Sequence, residues 1–397
     1  MDASKGAPRT ILHLISRLGV GGVENQLLLI ARHYNRNLLS PLVCCIREKG
    51  EIGRELEKAG IEVIALGRRE VHQFNPRVVL EISRLLRQRD VHILRTHQYE
   101  PGFYGRLASL LARTPIVIAS FHNIYRRRKW HRKRINRFLS RFTDRIVAVS
   151  ECVKSDIVRY DSVPSHKVKV IYNGIDPTQF EGEVREGEVK AGLGISPHSR
   201  VVGTIGRMTS QKGHALLLEA FAELRNRIDL KLLIVGDGPL RNSLQRRAEE
   251  LGIADDVCFA GFRRDIYPLL RIMEVFVLPS LWEGMGTAVI EAMAAGRVVV
   301  ASDLAPIREV IPTSDLGILV RPNDKKSLRE GIRELLDDRR VSEEMGKRSR
   351  EYALSRFRIQ KAIWQYENLF AEIESAKERS SWNSGRFRGR GGRCAIF

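Results

Sequence analysis

No apolar run in this 397-residue chain approaches the ~18–20 positions needed to span a bilayer, so no transmembrane helix is expected. The opening residues, Met1-Asp2-Ala3-Ser4-Lys5-Gly6, lack a signal-peptide core, and the chain is therefore expected in the cytosol. Cysteine is scarce: Cys44, Cys45, Cys152, Cys258 and Cys394 show no paired metal spacing, and most sit in apolar surroundings. Neither a disulfide nor a structural zinc is expected. There is no helix-turn-helix, zinc-finger or RNP signature, which leaves only non-specific attraction between this basic chain and nucleic acid. No internal repeat is evident. The glycine turn at Gly19, Gly21 and Gly22 fails as a dinucleotide fingerprint because the third glycine position is Glu24, which disfavours a nicotinamide cofactor.

What is present points to a large enzyme. The length exceeds what one hydrophobic core usually serves, and 43% hydrophobic residues are ample for two. The net charge of +20 is lopsided. Residues 1–180 carry 32 Lys and Arg against 16 Asp and Glu, whereas residues 181–397 carry 35 against 31. The first half attracts anions. Its densest stretch, Arg126 to Phe142, sets Ile135, Phe138, Leu139 and Phe142 at helical spacing beneath a basic face. Two readings stay open: an interfacial helix on an anionic membrane through Arg126 to Arg141, or an apolar stripe packed on its own domain under solvated arginines.

Strand-like and helical segments alternate in two series. The first has strand runs at Thr10 to Ile15, Pro41 to Ile46, Val63 to Leu66, Ile93 to Thr96, Ile116 to Ser120, Ile146 to Val149 and Lys169 to Tyr172. The second has them at Val201 to Ile205, Lys231 to Val235, Val257 to Ala260, Val275 to Leu278, Val298 to Ala301 and Gly317 to Val320. This is the pattern of parallel, doubly wound sheets with ligands at the strand carboxyl ends. Pro177 to His198, polar and aperiodic, reads as the interdomain linker. Near the end, Ile363, Trp364, Tyr366, Leu369 and Phe370 form an apolar stripe, and residues 376–397 read as a disordered basic tail.

The segment Pro279 to Gly296 is the most informative. A buried strand leads into Gly284 and Gly286, then into a helix from Thr287, placing Glu283 on the loop and Glu291 a turn or more inside the helix. Free amides at such a helix start favour anions. The two carboxylates are placed to touch different parts of one ligand. Gly206-Arg207 and Lys212-Gly213 put a guanidinium and an ammonium on another strand-to-helix loop, suited to a departing phosphate. His122 follows a strand and is expected to point into the cleft, and His97 ends the preceding strand.

The Glu-x7-Glu segment, together with Gly21-Gly22, Asn173-Gly174-Ile175-Asp176, Gly206-Arg207, Gln211-Lys212-Gly213, Gly236-Asp237-Gly238-Pro239 and Gly261-Phe262, resembles the retaining glycosyltransferases of family 4 in order and rough spacing over residues 9–375. That resemblance implies the GT-B fold: α/β, two Rossmann-like doubly wound parallel-sheet domains facing across a cleft. It implies residues 1–180 as acceptor-binding domain and 181–375 as nucleotide-sugar-binding domain, with a terminal helix crossing back. By resemblance Arg207 and Lys212 clamp a diphosphate without an obligatory metal, and no Asp-x-Asp site argues otherwise. Glu283 contacts sugar hydroxyls, Glu291 takes the ribose, and His122 lies beside the donor sugar. Gly21, Gly22, Gly206, Gly236, Gly261, Phe262, Gly284, Met285, Gly286 and Thr287 complete the donor site, with His97 on the acceptor side. Met285 and Arg297-Val298 depart from the family's usual Phe and Thr-Pro.

The expected activity is retaining transfer of a hexose or N-acetylhexosamine from a nucleotide-diphosphate sugar, UDP first and GDP next, to a lipid-linked or polysaccharide hydroxyl. No cofactor beyond that co-substrate is expected, and the expected place is the cytoplasm, with peripheral attachment to the inner face of the plasma membrane as the open alternative. Alternatives are another sugar-nucleotide enzyme on the same fold, such as an epimerase or sugar-phosphate synthase, or a non-catalytic polyanion-binding protein.

Overall fold

The computed structural model describes residues 7–68, 74–124, 130–224 and 229–388, with side chains through Arg379. Arg126 to Lys129 and residues 389–397 lie outside the described residues. The first sheet has seven parallel strands in the order β3-β2-β1-β4-β5-β6-β7, and the second has six in the order β10-β9-β8-β11-β12-β13. The strands are β1 (Arg9–Ile15), β2 (Leu39–Cys45), β3 (Glu62–Ala65), β4 (Ile93–His97), β5 (Ile116–Phe121), β6 (Arg145–Ala148) and β7 (Val168–Val170). The second sheet contains β8 (Arg200–Ile205), β9 (Leu230–Val235), β10 (Val257–Gly261), β11 (Val275–Leu278), β12 (Val298–Ser302) and β13 (Ile318–Val320).

The apolar runs form these strands because helices cover both faces of each sheet, leaving no solvent side that would call for alternation. Strand order reverses between β1 and β4 and again between β8 and β11, and at such a switch point a crevice opens at the strand carboxyl ends. Three helices start at these ends: α1 (Gly22–His33) after β1, α8 (His214–Ala222) after β8 and α11 (Thr287–Ala294) after β11. Gly213 and Gly286 precede the latter two with φ of +67° and +80°. A Cβ on Gly213 would lie 2.0 Å from the Pro279 carbonyl oxygen, so glycine is required there both by backbone angle and by close approach.

The last helix, α15 (Ile359–Arg388), crosses from the second domain to the first. Ile359, Ala362, Ile363, Tyr366, Leu369, Phe370 and Ile373 recur every three or four residues and pack on Ile11, Ile93 and Ile118 of the first sheet. Trp364, included in the expected stripe, falls on the opposite face and is exposed. The crossing is pinned where Ile175 N donates to Phe357 O at 2.7 Å and Ile359 N donates to Ile175 O at 2.8 Å. Gly174 is needed there, since a Cβ would stand 2.5 Å from Cα of Ile359.

The structure refines three sequence expectations. The helix continues through Arg388 where a disordered tail was expected from residue 376: Ala376, Lys377, Glu378 and Arg379 favour helix, and Lys377 pairs with Asp144 at 2.7 Å. The interdomain linker, aperiodic in sequence, nonetheless holds helix α7 (Glu186–Gly192) and buries Phe180 and Ile195 in the core. The basic helix α5 (Trp130–Leu139) divides its apolar stripe: Leu139 is buried, while Phe138 and Phe142 remain 51% and 43% exposed, edge to face at 5.4 Å.

The domains touch through specific polar contacts. Glu309 of the second domain accepts from the amides of Glu151 and Cys152, each at 2.8 Å, at the start of helix α6 (Glu151–Tyr160) in the first. Ser150 Oγ donates to the Gly284 carbonyl at 2.7 Å, and Arg264 pairs with Glu51 and Glu55.

Candidate active site

The loop after β8 and the loop after β11 converge. Lys212 Nζ lies 2.6 Å from Glu283 Oε1, and Ser280 Oγ donates to the same oxygen at 2.7 Å. Gln211 stitches the loops together: its Nε2 donates to the Trp282 carbonyl at 2.8 Å, and its own carbonyl accepts from the Leu281 amide. Glu283 is only 6% exposed, and these partners satisfy the hydrogen-bonding capacity of its carboxyl oxygen that burial takes from water. Gly206 lies under the Lys212 side chain, where a Cβ would meet its methylenes at 3.4 Å.

Glu291 is half-buried on α11, and burial raises its carboxyl to about 7, opposed by the Lys212 ammonium. Lys212 thus pairs with one carboxylate of the Glu-x7-Glu segment and acts electrostatically on the other. Glu291 stands near the midpoint between charged and neutral at neutral pH, able to accept or donate a hydrogen bond according to what binds. Arg207 is exposed just after β8. Across the cleft it influences Glu24 in the first turn of α1, whose carboxyl burial raises while Arg17 and Arg207 oppose the rise.

The first domain contributes neutral imidazoles above a buried cation. His122, 9% exposed, follows β5, and its carbonyl comes so near Gly284 that a Cβ there would lie 2.0 Å away. Burial first and the Arg95 cation second hold His122 down at about 3, so the ring is neutral. Its Nε2 lies 3.0 Å from His97 Nδ1. His97 was expected to line the acceptor side; it is instead 1% exposed, because its strand face is covered by α1 and α15, and it supports His122 from below. Arg95, fully buried two residues earlier, donates to Ser120 Oγ at 3.0 Å and to the Tyr366 hydroxyl, and its guanidinium covers the Tyr366 ring at 3.8 Å.

The remaining expected residues separate into two groups. Gly21, Gly22, Gly206, Gly236, Gly284, Gly286 and Thr287 lie on loops or helix starts at strand carboxyl ends, while Gly261 ends edge strand β10 and Phe262 follows it. Asn173 Nδ2 donates to Thr287 Oγ1 at 3.2 Å, joining the segment after β7 to the start of α11. Met285, by contrast, is 2% exposed and packed in the core of the second domain, with its sulfur accepting from the Asn173 amide at 3.2 Å. It shapes the loop from behind. Reading the sequence alone missed Ser280, Ser150, Glu24, His13 and Arg95. Ser280 was within reach, as a hydroxyl three residues before Glu283; the others owe their place to strand register and domain docking. Among the described residues no group of three or more His, Cys, Asp or Glu could hold a metal ion.

This geometry can hold an anion between Arg207, Lys212 and the α11 amides while carboxylates engage hydroxyls beside it. Two family models match: Glycosyltransferase Family 4 over residues 20–179 and Glycosyl transferases group 1 over residues 186–352. The chain is 30% identical to the alpha-maltose-1-phosphate synthase of Mycolicibacterium smegmatis over 294 residues, 67% of this chain and 75% of that protein. It is 29% identical to the UDP-Gal:alpha-D-GlcNAc-diphosphoundecaprenol alpha-1,3-galactosyltransferase of Escherichia coli over 306 residues, 74% of this chain and 79% of that one. The Anabaena protein Alr3699/HepE, solved in complex with UDP, superposes with a TM-score of 0.81 at 23% identity, covering 91% of this chain and all of the other, which shows the GT-B fold. Fold, paired loops and family models agree: the chain belongs to glycosyltransferase family 4 and is a retaining nucleotide-sugar glycosyltransferase.

Proposed function

We infer that the enzyme transfers a hexose or N-acetylhexosamine from a UDP-sugar, or failing that a GDP-sugar, to a hydroxyl of a lipid-linked or growing polysaccharide acceptor. The observation that carries this reading is the Lys212–Glu283 ion pair on two converging strand-end loops, close enough to the start of α11 for the ammonium to act on the Glu291 carboxyl. In the proposed complex the ammonium turns to the diphosphate and, with Arg207 and the helix amides, stabilises the negative charge that grows as the nucleotide departs. Glu283, steadied by Ser280, then accepts from sugar hydroxyls, and Glu291 accepts from the ribose. His122 lies beside the anomeric carbon. Retention needs no separate protein base if the departing phosphate assists same-face attack. Two relatives support the substrate classes: the Escherichia coli protein is named for a UDP-Gal donor and a diphosphoundecaprenol acceptor, and Alr3699/HepE was solved with UDP-glucose.

The test is thermal stabilisation of the purified chain by UDP, GDP, ADP and their sugars. A native-state ligand at a hundredfold excess over its Kd adds ~2.7 kcal/mol. A shift selective for UDP and its sugars supports the reading; no shift with any nucleotide removes it.

For the acceptor side, the anionic surface of the cytosolic membrane is the proposed partner of α5. Exposed Trp130, Phe138 and Phe142 stand among Arg137, Arg141 and Lys133. Beside Phe142 a cavity of about 680 Å³ is lined by Arg113, Arg141, Arg145, Lys167 and Lys377. No helix of the described residues is long and apolar enough to cross a membrane. Sedimentation with anionic vesicles should fall when Phe138 and Phe142 become Ser and when Arg137 and Arg141 become Gln. Binding unchanged in both would remove the membrane reading.

A further inference from the structure

Three imidazoles buried in series constrain one another's protons in a way that one alone cannot. His13 on β1, His97 at the end of β4 and His122 after β5 share one face of the first sheet. Register pairs His13 with Arg95 and His97 with Ser120, so each ring stands about two residues nearer the cleft than the one before. His13 Nδ1 lies 3.1 Å from His97 Nε2, and His97 Nδ1 lies 3.0 Å from His122 Nε2. Ring centroids are 5.3 and 5.2 Å apart. The two outer nitrogens, His13 Nε2 and His122 Nδ1, have no hydrogen-bond partner among the described residues.

Burial, followed by the Arg95 cation, holds His13 and His97 well below the ordinary histidine value and His122 at about 3. All three rings are therefore neutral, with one N–H each. Each N···N contact needs one proton, which leaves two arrangements that satisfy both contacts: every ring protonated at Nδ1, or every ring protonated at Nε2. Arg95 decides between them. Its backbone is level with His13 and its Nη1 reaches toward the Tyr34 hydroxyl, whose ring lies 5.7 Å from that of His13, so the cation bears on the inner ring, where it favours a bare nitrogen over the positive end of an N–H dipole. The protons are thereby displaced toward the cleft.

We propose that His13 and His97 are positioning residues that hold His122 as its Nδ1–H tautomer, so that the enzyme presents a neutral hydrogen-bond donor to a sugar or phosphate oxygen of the nucleotide-sugar. The proposal rests on the reading of His122 as a group beside the reacting centre. A neutral donor suits that place because it polarises an oxygen without burying a second cation beside Arg95.

Long-range ¹H–¹⁵N spectra of the ¹⁵N-histidine-labelled full chain read the tautomers directly, without substrate. Nδ1 protonation is expected at all three rings; a His122 protonated at Nε2 overturns the proposal whatever the activity. His13→Leu and His13→Asn then test the coupling. Asn retains an N–H able to donate to His97 Nε2, whereas Leu does not. In the Leu variant His122 should populate both tautomers, and kcat for nucleoside diphosphate release, measured with the sugar nucleotide that stabilises the chain, should fall roughly 2–10-fold, about one hydrogen bond's worth, with recovery in Asn. Equal tautomers and equal kcat in both variants sink the coupling. His122→Ala separates the two levels: unchanged kcat there breaks the site reading, whereas a loss there beside wild-type kcat in His13→Leu breaks only the relay.

Discussion

The two domains approach the cleft with different electrostatics. On the second, Lys212 and Glu283 form an ion pair at 2.6 Å, with Arg207 exposed nearby and Glu291 close to its midpoint at neutral pH. On the first, three imidazoles and a guanidinium lie under α1 and α15, with hydroxyls and an aromatic ring around the cation where a carboxylate would be usual. The contrast follows from what each side can solvate. Loops at helix starts keep charges near water and backbone dipoles, so full charges survive there. A sheet face covered by helices does not, and titratable groups on it become neutral unless, like arginine, they cannot.

The comparison breaks most visibly at the ion pair. Lys212→Ala or Glu283→Ala should each lower turnover by ~10²–10³, as for loss of one transition-state stabiliser, and the double variant should lose less than the product because the residues act as one unit. Steady-state kinetics on all three decide it, and wild-type rates in both single variants remove these residues from the reaction.

Glu291 gives the next effect. Its carboxyl is raised from 4.5 to about 7 by burial, so the folded chain holds that proton more tightly than the unfolded chain. The stabilisation this provides is complete below about pH 4.5 and is lost as pH rises through about 7. Glu291→Gln should therefore gain stability on the wild type between pH 5 and pH 8, by about 2 kcal/mol. Urea denaturation at the two values measures it; parallel curves for the two proteins would show that Glu291 is an ordinary surface carboxylate.

Arg95→Met sharpens the other side. Replacing a buried charge by an apolar chain of similar volume is often close to neutral, so unfolding free energy should move by no more than about 1–2 kcal/mol. The histidines respond more selectively. With the cation gone, His122 should titrate higher than in the wild type yet still below 6.5, since burial is the larger cause. An unchanged His122 titration by NMR would mean that Arg95 has no influence on the series.

The strands were legible because a parallel sheet covered on both faces leaves nearly continuous apolar runs: Val275 to Leu278 is β11 to the residue, and Val201 to Ile205 differs from β8 by one. Glu283 and Lys212 were legible through local grammar, a charged residue beside a glycine that opens a helix. That the Met285 side chain faces the core behind the loop was not legible, because nothing in the neighbouring letters says which way a residue next to a ligand loop turns. The helix through Arg388 was missed because basic, polar composition weakens a folded reading while Ala, Lys, Glu and Arg still favour helix once packing begins.

By itself, then, the order of residues determined two doubly wound sheets, their strand-end loops and a family of sugar-nucleotide chemistry, because periodicity and turn residues act over a few positions. Tertiary structure alone decided that Lys212 pairs with Glu283, that Glu309 caps a helix of the other domain and that His13, His97 and His122 stand in hydrogen-bond reach in series. Those contacts join residues 25 to 158 positions apart, through register across a sheet and the docking of one domain on another, and no local pattern encodes that distance.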